Sequence, residues 1–209
     1  MYFKNQQKMK TENYNDQQKI LPKEGKHIVA QSDAETITVY QAFRKETGIF
    51  AVANQKFGGN FYSFQRMTWI KPNFMWMMYR SGWATKPGQE CILAIKLKKE
   101  GFSKILSEAV HSSFQADVYE DRAAWQDALQ NSEVRLQWDP DHNPEGEKLT
   151  RKAIQLGLRG AILQLFNNDW ITEIEDITSF VVEQREFAKG DFEGLEVPVE
   201  RVIGFNLKK

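Results

Sequence analysis

Apolar and polar positions alternate through ETITVYQAF (Glu35 to Phe43), and the β-branched residues in that period of two predict a strand. ETGIFAVANQKF behind it suits a short helix, and Gly58, Gly59 and Asn60 then turn the chain. Pro72 stands at a first helical position and Gly82 where a helix ends, so PNFMWMMYRS predicts a second short helix. Phe74 to Tyr79 are all apolar or aromatic, which predicts burial nearly all round. QECILAIKL (Gln89 to Leu97) is a continuous apolar run of the central-strand kind, and GFSKILSEAVHSSF and RAAWQDALQ after it read as helical.

Further along, SEVRLQWDP (Ser132 to Pro140) alternates, DPDHNPEGE is a polar loop, and RKAIQLGL (Arg151 to Leu158) returns as a strand. A helix is expected from about Gly160 to Asn167, followed by a strand in DWITEIEDIT and a helix in ITSFVVEQREFAK capped by Thr178 or Ser179. EVPVERVIGF closes the pattern as a strand, placed at an edge by Pro198. Residues 1–26, rich in Gln, Asn and Lys, show no period and are expected to form a flexible tail ahead of one globular domain spanning 27–209. Strands and helices mix without strict βαβ order, so the class is α+β, with a mixed, mostly antiparallel sheet and packed helices.

Composition narrows the partners more than the fold. Lys plus Arg and Asp plus Glu each number 28, so no global field holds a polyanion, and any nucleic-acid contact must be local. The single cysteine, Cys91, lies in an apolar run and has no intrachain partner, which fits a buried thiol in a reducing cytoplasm. No run approaches the roughly 18 apolar residues of a membrane span, and the N-terminus lacks the apolar core of a signal peptide; the expectation is a soluble, cytoplasmic protein.

Several chemistries lack their sequence marks. His27, His111 and His142 are far apart in sequence, and one cysteine gives no metal-ligand spacing, so no metal is supported. Phosphate loops, dinucleotide fingerprints and nucleophile elbows are also missing. What stands out is RMTWIKPNFMWMMYRSGW, from Arg66 to Trp83. Trp69, Trp76 and Trp83 recur every seven residues, although Pro72 and Gly82 interrupt any helical stripe; core packing and ligand stacking are both open for Trp76 and Trp83.

Arg66, Lys71 and Arg80 flank this helix, and a cation beside a buried element needs an anion to offset its desolvation. For the two arginines the partner is either the acidic run Glu173, Glu175 and Asp176, in structural ion pairs, or a ligand phosphate. Lys71 is expected at the surface. Tyr40 and Gln41 are neighbours on a strand, so they point to opposite faces. Ser63 precedes Arg66 by three, and Gln155 is an amide among apolar residues that must be hydrogen-bonded or serve a ligand.

With ITVYQAF, RMTWIKPNFMWMMYRSGWATKPGQE, VRLQWDP, AIQLGL and WITEIEDIT together, the chain resembles the DUF4291 family over about Ala30 to Val182. The order of elements also resembles, by layout, small ADP-ribosyltransferase-like domains, in which a cleft between two small sheets holds NAD. That second resemblance implies a split sheet and three gripping positions: Tyr40 or Gln41, then Ser63, then Gln155 or Glu175. It departs from the pattern in lacking a first-strand His or Arg, unless Arg44 substitutes. The expectation is a domain that binds NAD or another nucleotide. Arg66 and Arg80 hold phosphates, Gln41, Ser63 and Trp83 contact the ligand, and Tyr40, Gln155 and Glu175 are the catalytic candidates. NAD is then a substrate and nucleic acid an acceptor; the alternative is a non-enzymatic module for single-stranded nucleic acid or a protein partner.

Overall fold

The computed structural model describes residues 9–204. Order begins where the pattern predicts none: strand β1 (Thr11–Asn13) leads into helix α1 (Tyr14–Ile20), whose first turn is capped by Asn13 Oδ1 accepting from the Asn15 N–H at 2.9 Å. β1 pairs antiparallel with Glu196–Pro198 at the other end of the described chain. Tyr14, Gln17 and Leu21 are all buried and share one helical stripe, with the Gln17 amide donating to the Pro198 carbonyl at 2.7 Å. The flexible tail is therefore corrected for residues 9–26, which are docked; residues 1–8 lie outside the described residues. A polar residue in the middle of the stripe hid its period.

Two short strands, β2 (Gly25–Lys26) and β3 (Val29–Ala30), precede the predicted β4 (Thr36–Phe43) and α2 (Lys45–Asn54). After β5 (Thr68–Ile70), helix α3 (Phe74–Ser81) starts two residues beyond Pro72, because Asn73 Oδ1 accepts from the Trp76 N–H at 2.7 Å and takes the cap position. Gly82, at φ +58°, ends it in the left-handed conformation glycine adopts most readily. Next come β6 (Cys91–Lys98) and α4 (Lys99–Ser107), which stops earlier than its pattern predicts because Ala109–His111 extends as β7. The order then runs α5 (Arg122–Asn131), β8 (Val134–His142) and β9 (Lys148–Leu158). α6 (Gly160–Leu165) continues into one π-helical turn and is followed by β10 (Ile171–Asp176) and α7 (Thr178–Arg185). Neither Thr178 nor Ser179 caps α7; the Thr178 hydroxyl instead accepts from the Ile92 N–H, tying the helix start to β6. The terminal strand is split into β11 (Glu196–Pro198) and β12 (Arg201–Val202).

The strands form two principal sheets, one antiparallel in the order β10-β6-β4, the other β2-β9-β8-β7 with β5 beside β9. Most pairings are antiparallel, β2–β9 and β7–β8 being parallel, so the molecule is a single α+β domain. One core lies between the sheets, joining Val39, Leu93 and Ile95 to Leu136, Ile154 and Leu156. A second covers the opposite face of β4 and β6, where Tyr40 and Ile92 meet Phe74, Met77 and Met78 of α3 and Val181 of α7. Lys71 joins the sheets. Its N–H donates to the Tyr40 carbonyl at 3.2 Å and its carbonyl accepts from the Tyr40 N–H at 2.7 Å, so β5 is bound to β9 and the residue directly after it to β4.

Candidate functional site

This corner holds a cavity of about 440 Å³, lined among others by Gln41, Trp69, Lys71, Arg80, Gln137 and Gln155. Its floor is the face of β8 and β9 turned away from the core, where Gln137 and Gln155 lie opposite each other in register. Gly157 allows Met67 and Trp69 to lie against the sheet; an added Cβ would meet Met67 Sδ at 2.5 Å.

Lys71 is buried, at 5% exposure, which corrects its expected place at the surface. The double backbone bond to Tyr40 draws it inward, and its side chain lines the cavity without a hydrogen bond or ion pair among the described residues. Burial first, and then the Arg80 charge, lower its pKa to about 8, while Asp139 opposes them. Arg80 sits on the exposed last turn of α3, and its charge also lowers the pKa of Lys86, after burial. Lys71 and Arg80 thus bring two cations to the cavity lining. The predicted acidic partners do not reach them: Glu173 pairs with Lys96 at 2.6 Å, and neither Arg80 nor Arg66 forms an ion pair among the described residues.

The amides supply the opposite polarity. Gln41, 3% exposed, donates from Nε2 to Thr68 Oγ1 at 2.6 Å and to the Trp69 carbonyl at 3.2 Å. Because a carbonyl only accepts, the nitrogen must face it, which leaves Gln41 Oε1 buried and unpartnered. Gln137 and Gln155 both donate from Nε2 to the Asp139 carboxylate, at 2.9 and 2.8 Å, so their oxygens also stay free of protein donors among the described residues. The cavity therefore offers cations for an anion and amide oxygens for hydroxyl or amino donors.

Of the predicted site residues, Gln41, Arg80 and Gln155 are brought together here. Tyr40 and Glu175 are not: both lie on the other face of the first sheet, flanking Ala94 in register. Tyr40 is fully buried and packs edge-to-face on Phe74 at 5.5 Å, with burial raising its pKa well above the usual phenol value. Burial also raises the Glu175 carboxyl, with Glu173 adding to it. Ser63 and Arg66 share an exposed turn outside the cavity lining, the Ser63 carbonyl accepting from the Arg66 N–H at 3.4 Å. Trp83 is structural: it is 8% exposed and its Nε1 donates to the Pro144 carbonyl at 3.0 Å. Trp76 is core as well, stacked on His142 at 5.3 Å.

The sequence pattern put Lys71 at the surface and left Gln137 and Asp139 unnoticed. Gln137 and Asp139 did carry a signal, as alternate polar positions in VRLQWDP facing the amide of AIQLGL.

The family model for a domain of unknown function, DUF4291, matches residues 27–203. The chain belongs to the DUF4291 family. Among curated proteins none matches the chain. The family carries no assigned activity, and the layout resemblance to ADP-ribosyltransferases gains no support from these matches. The matched DUF4291 segment contains every residue named in the cavity, while β1 and α1 lie before it. Among the described residues of this DUF4291 chain, no helix is long and apolar enough to cross a membrane.

Proposed function

We propose that the corner cavity binds a nucleotide through its ribose-phosphate portion. The observation that carries this reading is Lys71, a buried ammonium with no carboxylate bound to it, opening beside Arg80 onto a polar cavity. Desolvating a cation without a partner is costly, and a phosphate gripped by Lys71 and Arg80 offsets that cost. The free oxygens of Gln41, Gln137 and Gln155 suit ribose hydroxyls or a base amino group, which are donors. The volume falls within the usual small-molecule range of about 300–1,000 Å³.

NAD remains a ligand of this class. Transfer of ADP-ribose is not part of the reading, because Tyr40 and Glu175 stand on the far face of the sheet from Gln41. A single-stranded nucleic-acid groove needs exposed aromatic faces beside the cations, and burial of Trp76 and Trp83 favours the small ligand instead.

Thermal shift tests the reading. AMP and NAD at millimolar concentration should raise the melting temperature in a dose-dependent way, since occupancy at a hundredfold excess over Kd is worth about 2.7 kcal/mol. Adenosine, which offers nothing to Lys71 and Arg80, should shift it less. Failure of every phosphorylated ligand to move the transition contradicts the reading.

A further inference from the structure

We propose that Lys71 is a nucleophilic amine, and that the cavity forms an imine between it and a phosphorylated aldose in its open-chain aldehyde form. The inference rests on the reading of the cleft as a phosphate site and goes beyond it, since binding alone requires only the charge of Lys71.

The geometry comes first. Lys71 directly follows β5, which β9 holds, and its own backbone is bound twice to Tyr40 of β4. Its amine has no protein partner among the described residues and fronts a cavity large enough for a sugar phosphate. The charged groups acting on it are Arg80 from α3 and Asp139 from β8; the cavity-lining side chains contributed by β4 and β9 include the neutral amides Gln41 and Gln155. Burial and Arg80 together favour the uncharged amine, and with a pKa of about 8 roughly a quarter of it is neutral at pH 7.5. An ordinary lysine is neutral there to only about one part in a thousand. An amine of this kind, desolvated and beside another cation, is the usual form of an imine-forming lysine.

The substrate class follows from the walls. Arg80 supplies a guanidinium for the phosphate, and the free amide oxygens of Gln41, Gln137 and Gln155 accept from sugar hydroxyls. The Lys71 nitrogen lone pair adds to the aldehyde carbon, and the carbonyl electron pair takes up a proton to give a carbinolamine. Loss of the nitrogen proton with the hydroxyl, as one water, then forms the C=N bond. No oxidant or other reactant is consumed. The Asp139 carboxylate, held by two amide donors, bears its charge on the same amine and favours the protonated imine once formed.

The test uses ribose 5-phosphate with cyanoborohydride, which reduces the imine to a stable adduct that peptide mass spectrometry locates. In the full chain at pH 7.5, Lys71 should carry at least about tenfold more adduct than exposed lysines such as Lys19 and Lys104. The Lys71 rate should rise with pH and level off about one unit past its pKa of about 8, where the amine is mostly neutral, whereas the surface lysines continue to gain. Ribose without phosphate should label Lys71 less, Arg80→Gln should remove that difference, and AMP, which has no aldehyde, should protect. Lys71→Arg, and Lys71→Met as a second variant, should abolish the excess while the remaining lysines label as before. Even labelling across the lysines, or equal labelling by ribose and ribose 5-phosphate, overturns the proposal. If AMP shifts the melting curve while Lys71 stays unlabelled, the amine chemistry fails and the binding reading survives. If Lys71 is labelled preferentially by ribose 5-phosphate and AMP neither binds nor protects, the nucleotide reading fails and the amine chemistry stands.

Discussion

Arg151→Met is expected to destabilise the fold by about 3–5 kcal/mol, the loss typical when one partner of a buried ion pair is removed. Arg151 is 2% exposed and Asp141 1%. The guanidinium donates to Asp141 Oδ2 from Nε at 2.9 Å and from Nη2 at 2.6 Å, and its remaining donors reach the Pro22 carbonyl and Gln18 Oε1. Without it, Asp141 keeps one bond, from the His142 N–H at 2.8 Å, and a buried charge with no counterion. Urea denaturation measures the loss. The double variant Arg151→Met with Asp141→Leu should recover part of it, because both charges then leave the interior together. A single variant within about 0.5 kcal/mol of the parent, the range of surface substitutions, contradicts a buried role for this pair.

Removing residues 1–26 is expected to cost about 3–6 kcal/mol, from two large buried side chains, Tyr14 and Leu21, at about 1.5–3 kcal/mol each. The deletion also takes away the β1 pairing with β11 and two of the groups that receive Arg151. Part of the area term is already buried in a compact unfolded chain, which holds the figure toward its lower end. A truncated chain that melts within a degree or two of the full one would show that β1 and α1 contribute little, whatever their contacts.

The strands were the most legible part of the chain. β4, β6, β8, β9 and β10 fall within a few residues of their predicted places, because their apolar residues follow the two-residue period or an unbroken run. β7 was hidden in a pattern that also suits a helix: AVH continues the apolar spacing of α4, and only pairing with β8, distant in sequence, decides it. α1 was hidden for the opposite reason, since Gln17 replaces an apolar residue on its buried stripe and finds its partner at Pro198. The site was half legible. Arg80 and Gln155 could be singled out because a cation and an amide among apolar neighbours need partners. Lys71 was noticed for the same reason but expected at the surface, since its burial depends on a backbone bridge to Tyr40 that no local pattern records. Ser63 and Arg66 drew notice through proximity in sequence to the tryptophans, but the turn that carries them faces solvent.

Isothermal titration of AMP into the parent chain, Lys71→Met and Arg80→Gln tests the central claim most directly. A charge-assisted hydrogen bond is worth about 1.5–3 kcal/mol, so each variant should weaken AMP binding by about tenfold or more. Adenosine, titrated alongside, should bind the parent more weakly than AMP and should change little in either variant. Equal AMP affinity across all three chains, or adenosine binding the parent as tightly as AMP, would contradict the assignment of Lys71 and Arg80 to a ligand phosphate.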